Sequence, residues 1–457
     1  MSSTTRNTAP QSVRFVDVGA YPTRDGNSIT PWIDGEPAFR RICEAIEGAR
    51  TSVWATVTFM WPAFQMPDGR GSALDVLEAA ARRGVDVRVI FWRPDDATAS
   101  LRTNAFWGSP EHFESLAKRR CAVNIRWDRA HPGYCQHQKT WLIDAGDDSA
   151  TSFVGGINLN PHSLVRPDHQ GAGQNHDVYI EVMGPAVADV HHNFVQRWNE
   201  VSERGRDDGW WGVRGNEDLP YPTDLPACRG TSRVQIQRTM HAGRYHNDHP
   251  APGAPAFPIA LGEATNSHQY MAAIRGAQRT IYLEHQHLEV LSILDALDDA
   301  LTRGVRVVAM LPVGPLSGNA LTSNVSSADV MASRARLARH ERFTLAGMAG
   351  QNTDGIRVPV HVHSKLILVD DEWASVGSCN LHHYSMTGNA ELNAAFHDPA
   401  VVRALRAELF REHLGKETLT LEDTSAFELF QDVARANLKR YHMGDHRWEG
   451  LAVALAR

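Results

Sequence analysis

The chain repeats itself once, and that constrains its fold more than any other feature. Ala45-Ile-Glu-Gly-Ala-Arg-Thr-Ser-Val-Trp-Ala resembles Ala273-Ile-Arg-Gly-Ala-Gln-Arg-Thr-Ile-Tyr-Leu. Leu77-Glu-Ala-Ala-Ala-Arg-Arg-Gly-Val-Asp-Val resembles Leu297-Asp-Asp-Ala-Leu-Thr-Arg-Gly-Val-Arg-Val. His137 to Asp144 matches His363 to Asp370, and Gly155-Gly-Ile-Asn matches Gly377-Ser-Cys-Asn. Read as differences of residue number, the offsets are 228, 220, 226 and 222. Four matches in one order at nearly one spacing indicate duplication, and a period this long means two similar domains rather than a solenoid. Each match reads as an amphipathic helix, a glycine stop (Gly84 or Gly304) and an apolar strand. That alternation predicts an α/β fold with helices covering a sheet in each half.

A chain of 457 residues with 42% apolar content can bury a sizeable core and is too long for one small domain. Glycines and prolines crowd residues 205–232, where the boundary is expected. The expected division is an N-terminal segment 1–30, a first lobe 31–204, the linker, and a second lobe 233–457 with a helical extension. Residues 399–413 and 425–440 read as helices. The Trp210-Trp211 pair in the linker reads as packing against a lobe. Five scattered cysteines without a CxxC pair argue for free thiols and against a zinc site. His241, His246 and His249 read as a solvated loop. The polar N-terminus and the lack of a run of about 18 apolar residues predict a cytoplasmic protein in at most peripheral contact with membranes. A net charge of −7 argues against nucleic acid as the partner.

Two stretches carry the chemistry: His137-Gln-Lys139-Thr-Trp-Leu-Ile-Asp144 and His363-Ser-Lys365-Leu-Ile-Leu-Val-Asp370. Composition alone would give about 0.02 occurrences of H-x-K-x₄-D, so two copies are not chance. Only five of the 46 basic residues are lysines, and each motif holds one. Strand alternation puts histidine and lysine on one face, with Asp144 and Asp370 closing each strand. Developing charge on a phosphoryl group needs cations and donors; Lys139, Lys365, Asn158 and Asn380 supply them. One neutral histidine can attack phosphorus, and a second can protonate the leaving alcohol and then activate the next one. Such a set needs no metal and no cofactor, so activity is expected to survive chelation. Each imidazole also needs a carboxylate to hold its tautomer. Asp177 is the candidate in the first half, expected beside His137. Glu391 is the candidate in the second, expected beside His363.

These residues resemble the phospholipase D superfamily in its two-motif branch, over roughly residues 30–415. Phe153-Val-Gly-Gly-Ile-Asn-Leu, His176-Asp-Val-Tyr-Ile-Glu-Val and Asn193-Phe-Val-Gln-Arg-Trp-Asn resemble the segments after the family's first motif. Thr280-Ile-Tyr-Leu-Glu-His-Gln and Ser385-Met-Thr-Gly-Asn-Ala-Glu-Leu-Asn resemble those around its second. The resemblance implies a duplicated phospholipase D-like fold, two mixed-sheet lobes with covering helices around one shared active site. It also implies a phosphohistidine intermediate, with His137 as nucleophile, His363 as general acid and base, and Asp144 and Asp370 counted with the catalytic set. Glu284, His285 and Gln286 are expected at the pocket, although His285 stands where such enzymes often have asparagine. Between Asn158 and Asp177 the first half carries an extra loop.

The reading that follows is a phospholipase D-like phosphodiesterase, hydrolysing glycerophospholipid headgroup diesters or exchanging their headgroups. The alternatives are a cardiolipin synthase-like phosphatidyltransferase and a nuclease of the same superfamily. The expected partners are a phospholipid at a membrane surface and an alcohol or water acceptor. No dimer is required, because both half-sites lie in one chain.

Overall fold

The computed structural model describes residues 13–99, 105–205, 217–313 and 327–455. Trp210, Trp211 and part of the 205–232 stretch lie outside the described residues.

In the first half seven strands form one sheet: β1 (Arg24–Ile33), β2 (Ser52–Val57), β3 (Asp86–Trp92), β4 (Asn124–Asp128), β5 (Thr140–Ile143), β6 (Thr151–Gly155) and β7 (Val178–Met183). Their order is 4-3-2-5-6-7-1, with β2, β3 and β4 parallel and the rest antiparallel. The second half repeats this with β8 (Ser232–Met240), β9 (Thr280–His285), β10 (Arg306–Met310), β11 (Phe343–Gln351), β12 (Lys365–Val369), β13 (Trp373–Gly377) and β14 (Glu391–His397). Its order, 11-10-9-12-13-14-8, is the first order with seven added to each strand. Strand β1 begins at Arg24, inside the stretch expected as an N-terminal segment. Its first residues pair with β8, Arg24 opposite Val234, and so join the two sheets edge to edge.

Alternation along the strands explains why each sheet is covered on both faces. In β2, Val53, Ala55 and Val57 face outward to Phe39, Ile42 and Ile46 of helix α1 (Gly35–Gly48) and Leu77 of α2 (Ala73–Arg82). Trp54 faces inward, against Phe194 of α3 (Val187–Asn199). In β9, Ile281 and Leu283 face outward to α4 (Thr265–Gly276) and α5 (Leu291–Thr302), and Tyr282 faces inward. The inner faces of the two sheets share one core, in which Val154, Ile180 and Val182 meet Val376, Leu392 and Ala394. Each such buried valine, leucine or isoleucine contributes about 1.5–3 kcal/mol relative to exposure, so the lobes are held by apolar burial first. The two expected C-terminal helices are present as α6 (Pro399–Leu414) and α7 (Asp423–His442).

Candidate active site

Each histidine lies just before its strand, in a segment that leaves its own lobe. Residues 135–137 run to the second lobe: Ala390 N–H donates to Cys135 O, and His137 N–H donates to Ala390 O, both at 2.9 Å. Residues 361–363 run to the first. His361 and Val362 pair with Asn175 and His176, and His363 N–H donates to His176 O at 2.8 Å. Every motif histidine therefore sits beside the residue that opens a strand of the opposite lobe.

The carboxylate pairing is crossed as a result, and this corrects the expectation from the sequence. His137 Nδ1 lies 2.9 Å from Glu391 Oε2, and His363 Nδ1 lies 2.6 Å from Asp177 Oδ2. Sequence reasoning paired each histidine with the carboxylate of its own half. Equivalent placement in the repeat was visible, but the exchange between lobes is a property of the folded chain.

The two pairs differ electrostatically. His137 Nδ1 also faces the carbonyl oxygen of Ser378, at 3.1 Å. A carbonyl only accepts, so the proton sits on Nδ1 and Nε2 keeps a lone pair. Glu391 receives further hydrogen bonds from the hydroxyls of Ser378 and Ser385 and from the Asn389 amide. Burial opposes its charge, yet His137, Lys139 and these donors hold its carboxyl below the usual range. Asp177 has fewer donors, the chief one being Val178 N–H at 2.8 Å. Burial raises it to about 7. The residue equivalent to Ser378 is Gly156, and any Cβ there would lie 2.4 Å from Asp177 Oδ1. The first lobe thus has no room for the hydroxyl that serves Glu391 in the second. Burial, reinforced by the lysines, lowers both histidines from their ordinary value, and His363 is held well below it.

Lys139 and Lys365 are 3% and 1% exposed. Each donates to the carbonyl of its own motif histidine, and Lys139 also contacts Thr58 Oγ1 at 3.3 Å. Burial lowers Lys139 to about 8 and Lys365 to about 7. Asn158 and Asn380 are buried, and their side-chain oxygens have no hydrogen-bond partner among the described residues. Two buried cations with depressed pKa values describe a site built to take an anion.

Other expected residues sit elsewhere. Asp144 and Asp370 adopt φ of 53° and 57° at the far ends of β5 and β12, about 16 Å along the strand from the lysines by the strand rise. Asp144 Oδ1 accepts from the backbone N–H of Arg50, Thr51 and Ser52, and Asp370 accepts from those of Gln278, Arg279 and Thr280. They fasten the start of β2 and β9 and take no part in the cluster of histidines and lysines. Glu284 is fully buried and turned away from the motif histidines. It accepts from His176 Nε2, His413 Nε2, Ser364 Oγ and the Tyr282 hydroxyl. His285 pairs with Lys365 in the ladder and packs edge-on to Tyr270; burial lowers it to about 3. Gln286 follows the strand and is partly exposed. Ser378 and Ser385 were missed by sequence reasoning. The small-residue turn before Asn380 was the available signal for Ser378. The three loop histidines do not converge: His241 stacks on His131, His246 faces Glu200, and His249 stacks on Tyr221. Among the described residues, no helix is long and apolar enough to cross a membrane.

A family profile described as cardiolipin synthase, PLD-like domain, matches residues 42–198 and 270–413. Cardiolipin synthase 1 of Staphylococcus epidermidis is 24% identical over 412 residues, covering 87% of this chain and 70% of that protein. The cardiolipin synthase of Listeria welshimeri is 25% identical over 412 residues, covering 89% and 73%. The crystal structure of phosphatidylserine synthase from Haemophilus influenzae Rd KW20 has the same fold, with a TM-score of 0.53 at 14% identity over 92% of this chain and 94% of that one. With the profile matched once in each half of a duplicated α/β chain, the protein belongs to the phospholipase D superfamily, as a member with two cardiolipin synthase-like domain segments.

Proposed function

We propose that this chain is a phosphatidyltransferase of the cardiolipin synthase kind, moving a phosphatidyl group between alcohols through a phosphohistidine. The observation that carries the reading is the crossed pair of imidazole–carboxylate couples beside two buried lysines. The similarity to proteins named cardiolipin synthases favours transfer to an alcohol over hydrolysis, the reading first drawn from the sequence.

The reaction follows from the two proton arrangements. His137 Nε2 attacks phosphorus, and the bond to the leaving oxygen breaks. That oxygen takes a proton from His363 Nε2. Burial lifts Asp177 to about 7, so near neutral pH about half of the His363–Asp177 couples hold two protons. Whether the shared proton rests on the ring or on the carboxyl, Nε2 carries a transferable hydrogen. In the second step an acceptor hydroxyl returns a proton to His363 Nε2, its oxygen bonds to phosphorus, and the P–N bond breaks. Lys139, Lys365, Asn158 and Asn380 stabilise the phosphoryl oxygens. An arriving phosphodiester anion also restores full protonation to lysines that burial has weakened. The motif histidines are each 8% exposed, a setting that limits competition from water.

Cardiolipin is two phosphatidyl groups on one glycerol, so the test substrate is phosphatidylglycerol. Vesicles of phosphatidylglycerol incubated with the purified protein should yield cardiolipin and free glycerol, and added ethanol should divert product to phosphatidylethanol. Phosphatidic acid as the sole product would return the assignment to a hydrolase. Cleavage of single-stranded DNA without lipid turnover would make it a nuclease.

A further inference from the structure

A second polar cluster lies behind Asp177, where the two lobes meet. We propose that Asp34, His169, His176 and Glu412 form a divalent-metal site, zinc by its donor set, that ties the lobes together next to the carboxylate orienting His363. This goes beyond the transferase reading and does not depend on it.

The geometry is that of ligands aimed at a common point. His169 Nε2 lies 3.1 Å from Asp34 Oδ2 and 3.0 Å from Glu412 Oε1. His176 Nδ1 lies 3.0 Å from Asp34 Oδ1 and 3.8 Å from Glu412 Oε1. One donor atom from each of the four residues falls within 4.8 Å of all the others. Tetrahedral bonds of 2.0–2.1 Å to zinc would place ligand atoms about 3.3 Å apart, in the middle of these distances. Close as they are, the atoms are not aligned on each other. Asp34 Oδ2, His169 Nε2, His176 Nδ1 and both Glu412 oxygens satisfy no hydrogen bond among the described residues. The side chains of Asp34, His169 and His176 are 0% exposed and that of Glu412 is 5% exposed. Buried polar atoms are almost always paired, and five around one point without an aligned hydrogen bond suit an ion that takes their lone pairs.

The opposite ring nitrogens fix what the inner ones can offer. His176 Nε2 is 3.0 Å from Glu284 Oε2, and His169 Nδ1 is 3.2 Å from Gln174 Oε1. In the neutral ring each acceptor draws the proton outward and leaves a lone pair on the inner nitrogen for a metal. Metal-bound histidines are held in this way. Glu284 is itself fixed by His413, Ser364 and Tyr282. Two imidazoles and two carboxylates in a compact tetrahedral set suit zinc better than calcium or magnesium, which take more oxygen ligands. The backbone supports the same reading. Asp34 precedes α1 with φ of 65° and its side chain does not cap the helix. It is turned inward at a conformational cost that the surrounding structure must maintain. A cavity of about 710 Å³, lined by Trp32, Arg166, Asp168, Glu408 and Glu412, borders one of the four residues, Glu412, on the side from which an ion would enter.

Three ligands belong to the first lobe and Glu412 belongs to α6 of the second. Asp34 also exchanges backbone contacts with Asp177: Asp34 N–H donates to Asp177 O at 2.8 Å, and Asp177 N–H reaches Asp34 Oδ1 at 3.3 Å. An ion here would hold Asp177 against His363 without touching the reacting phosphate. No catalytic step is routed through the ion.

Elemental analysis of the full-length protein, purified without chelator, tests the site. About one zinc per chain is expected, retained in the surface variant His246→Ala and lost in His169→Ala and Glu412→Ala. Should those two variants fail to fold, the wild type decides the matter. After chelator treatment it should melt at a lower temperature and recover on adding zinc. It should also take up Co²⁺ with the strong visible absorption of a tetrahedral site. A wild type that carries no metal, melts identically with zinc and with EDTA, and leaves Co²⁺ spectrally octahedral would overturn the proposal. It would mark the cluster as protonated histidines between carboxylates.

Discussion

Replacing Asp177 by asparagine removes the partner of His363, and replacing Glu391 by glutamine removes the partner of His137. The crossing therefore assigns opposite phenotypes to two substitutions that look alike in the sequence. With a p-nitrophenyl phosphodiester, whose leaving group needs little protonation, Asp177→Asn should resemble His363→Ala and accumulate an adduct on His137. Glu391→Gln should resemble His137→Ala and form little or none. Turnover of ordinary phospholipid should fall by about 10²–10⁴-fold in Asp177→Asn, the scale of lost acid–base catalysis. Mass spectrometry of rapidly quenched, digested protein reads both results. An adduct accumulating in Glu391→Gln and absent from Asp177→Asn would mean that each histidine works with the carboxylate of its own half. The lysines give a second residue-level prediction. Folding lowers Lys365 to about 7 from its ordinary value, so its charge is borne at a cost in the native state below that pH. The cost disappears as pH rises toward about 10, where the unfolded chain also loses the proton. Lys365→Met should thus be inactive yet melt a few degrees higher than the wild type at pH 7, with the gain shrinking between pH 7 and 10. Equal melting temperatures across that range would show that the buried cation carries no such cost.

At the scale of elements, the last residue of each motif serves the sheet. Asp144 and Asp370 collect backbone N–H groups from the chain entering β2 and β9, in a left-handed conformation that aspartate and asparagine tolerate better than most residues. Asp144→Asn keeps the conformation and loses charge-assisted hydrogen bonds. It should destabilise the fold by about 1–3 kcal/mol in urea denaturation while leaving kcat of the folded protein nearly unchanged. A large loss of kcat without loss of stability would return Asp144 to the catalytic set. The same contrast explains what the sequence could reveal. Periodicity and the repeat located the apolar strands, the glycine stops and both C-terminal helices, because these are set by local pattern. The paired lysines stood out against an arginine-rich background. Crossing of Asp177 and Glu391 could not be read, since it depends on residues 135–137 and 361–363 leaving their own lobes. The cluster around His169 was equally hidden. Its residues come from three separated stretches, around Asp34, His169–His176 and Glu412, with no spacing that a motif could capture.

For the whole molecule, the crossing joins two incomplete halves into one candidate active site. The first lobe holds His137 but draws Glu391 from the second, and the second holds His363 but draws Asp177 from the first. The inner faces of the sheets share their core, and β1 pairs with β8 across the join. Separated lobes would expose apolar surface and leave each imidazole without its carboxylate. A break in the connection should be tolerated if both pieces are present, because cohesion comes from burial and strand pairing rather than from the covalent link. Asp224 and Leu225 are exposed in the stretch before β8, and a chain opened between them keeps every contact described above. We expect residues 1–224 and 225–457, produced together, to co-purify as a 1:1 complex and to regain activity within about tenfold of the intact chain, since the linker only raises the effective concentration of one lobe for the other. Each piece alone should be inactive and prone to aggregate. Mixing a His137→Ala first piece with a wild-type second piece should give an inactive complex, as should a wild-type first piece with a His363→Ala second piece. Activity from either piece alone would mean that a half-site suffices, and the requirement for crossing would fail.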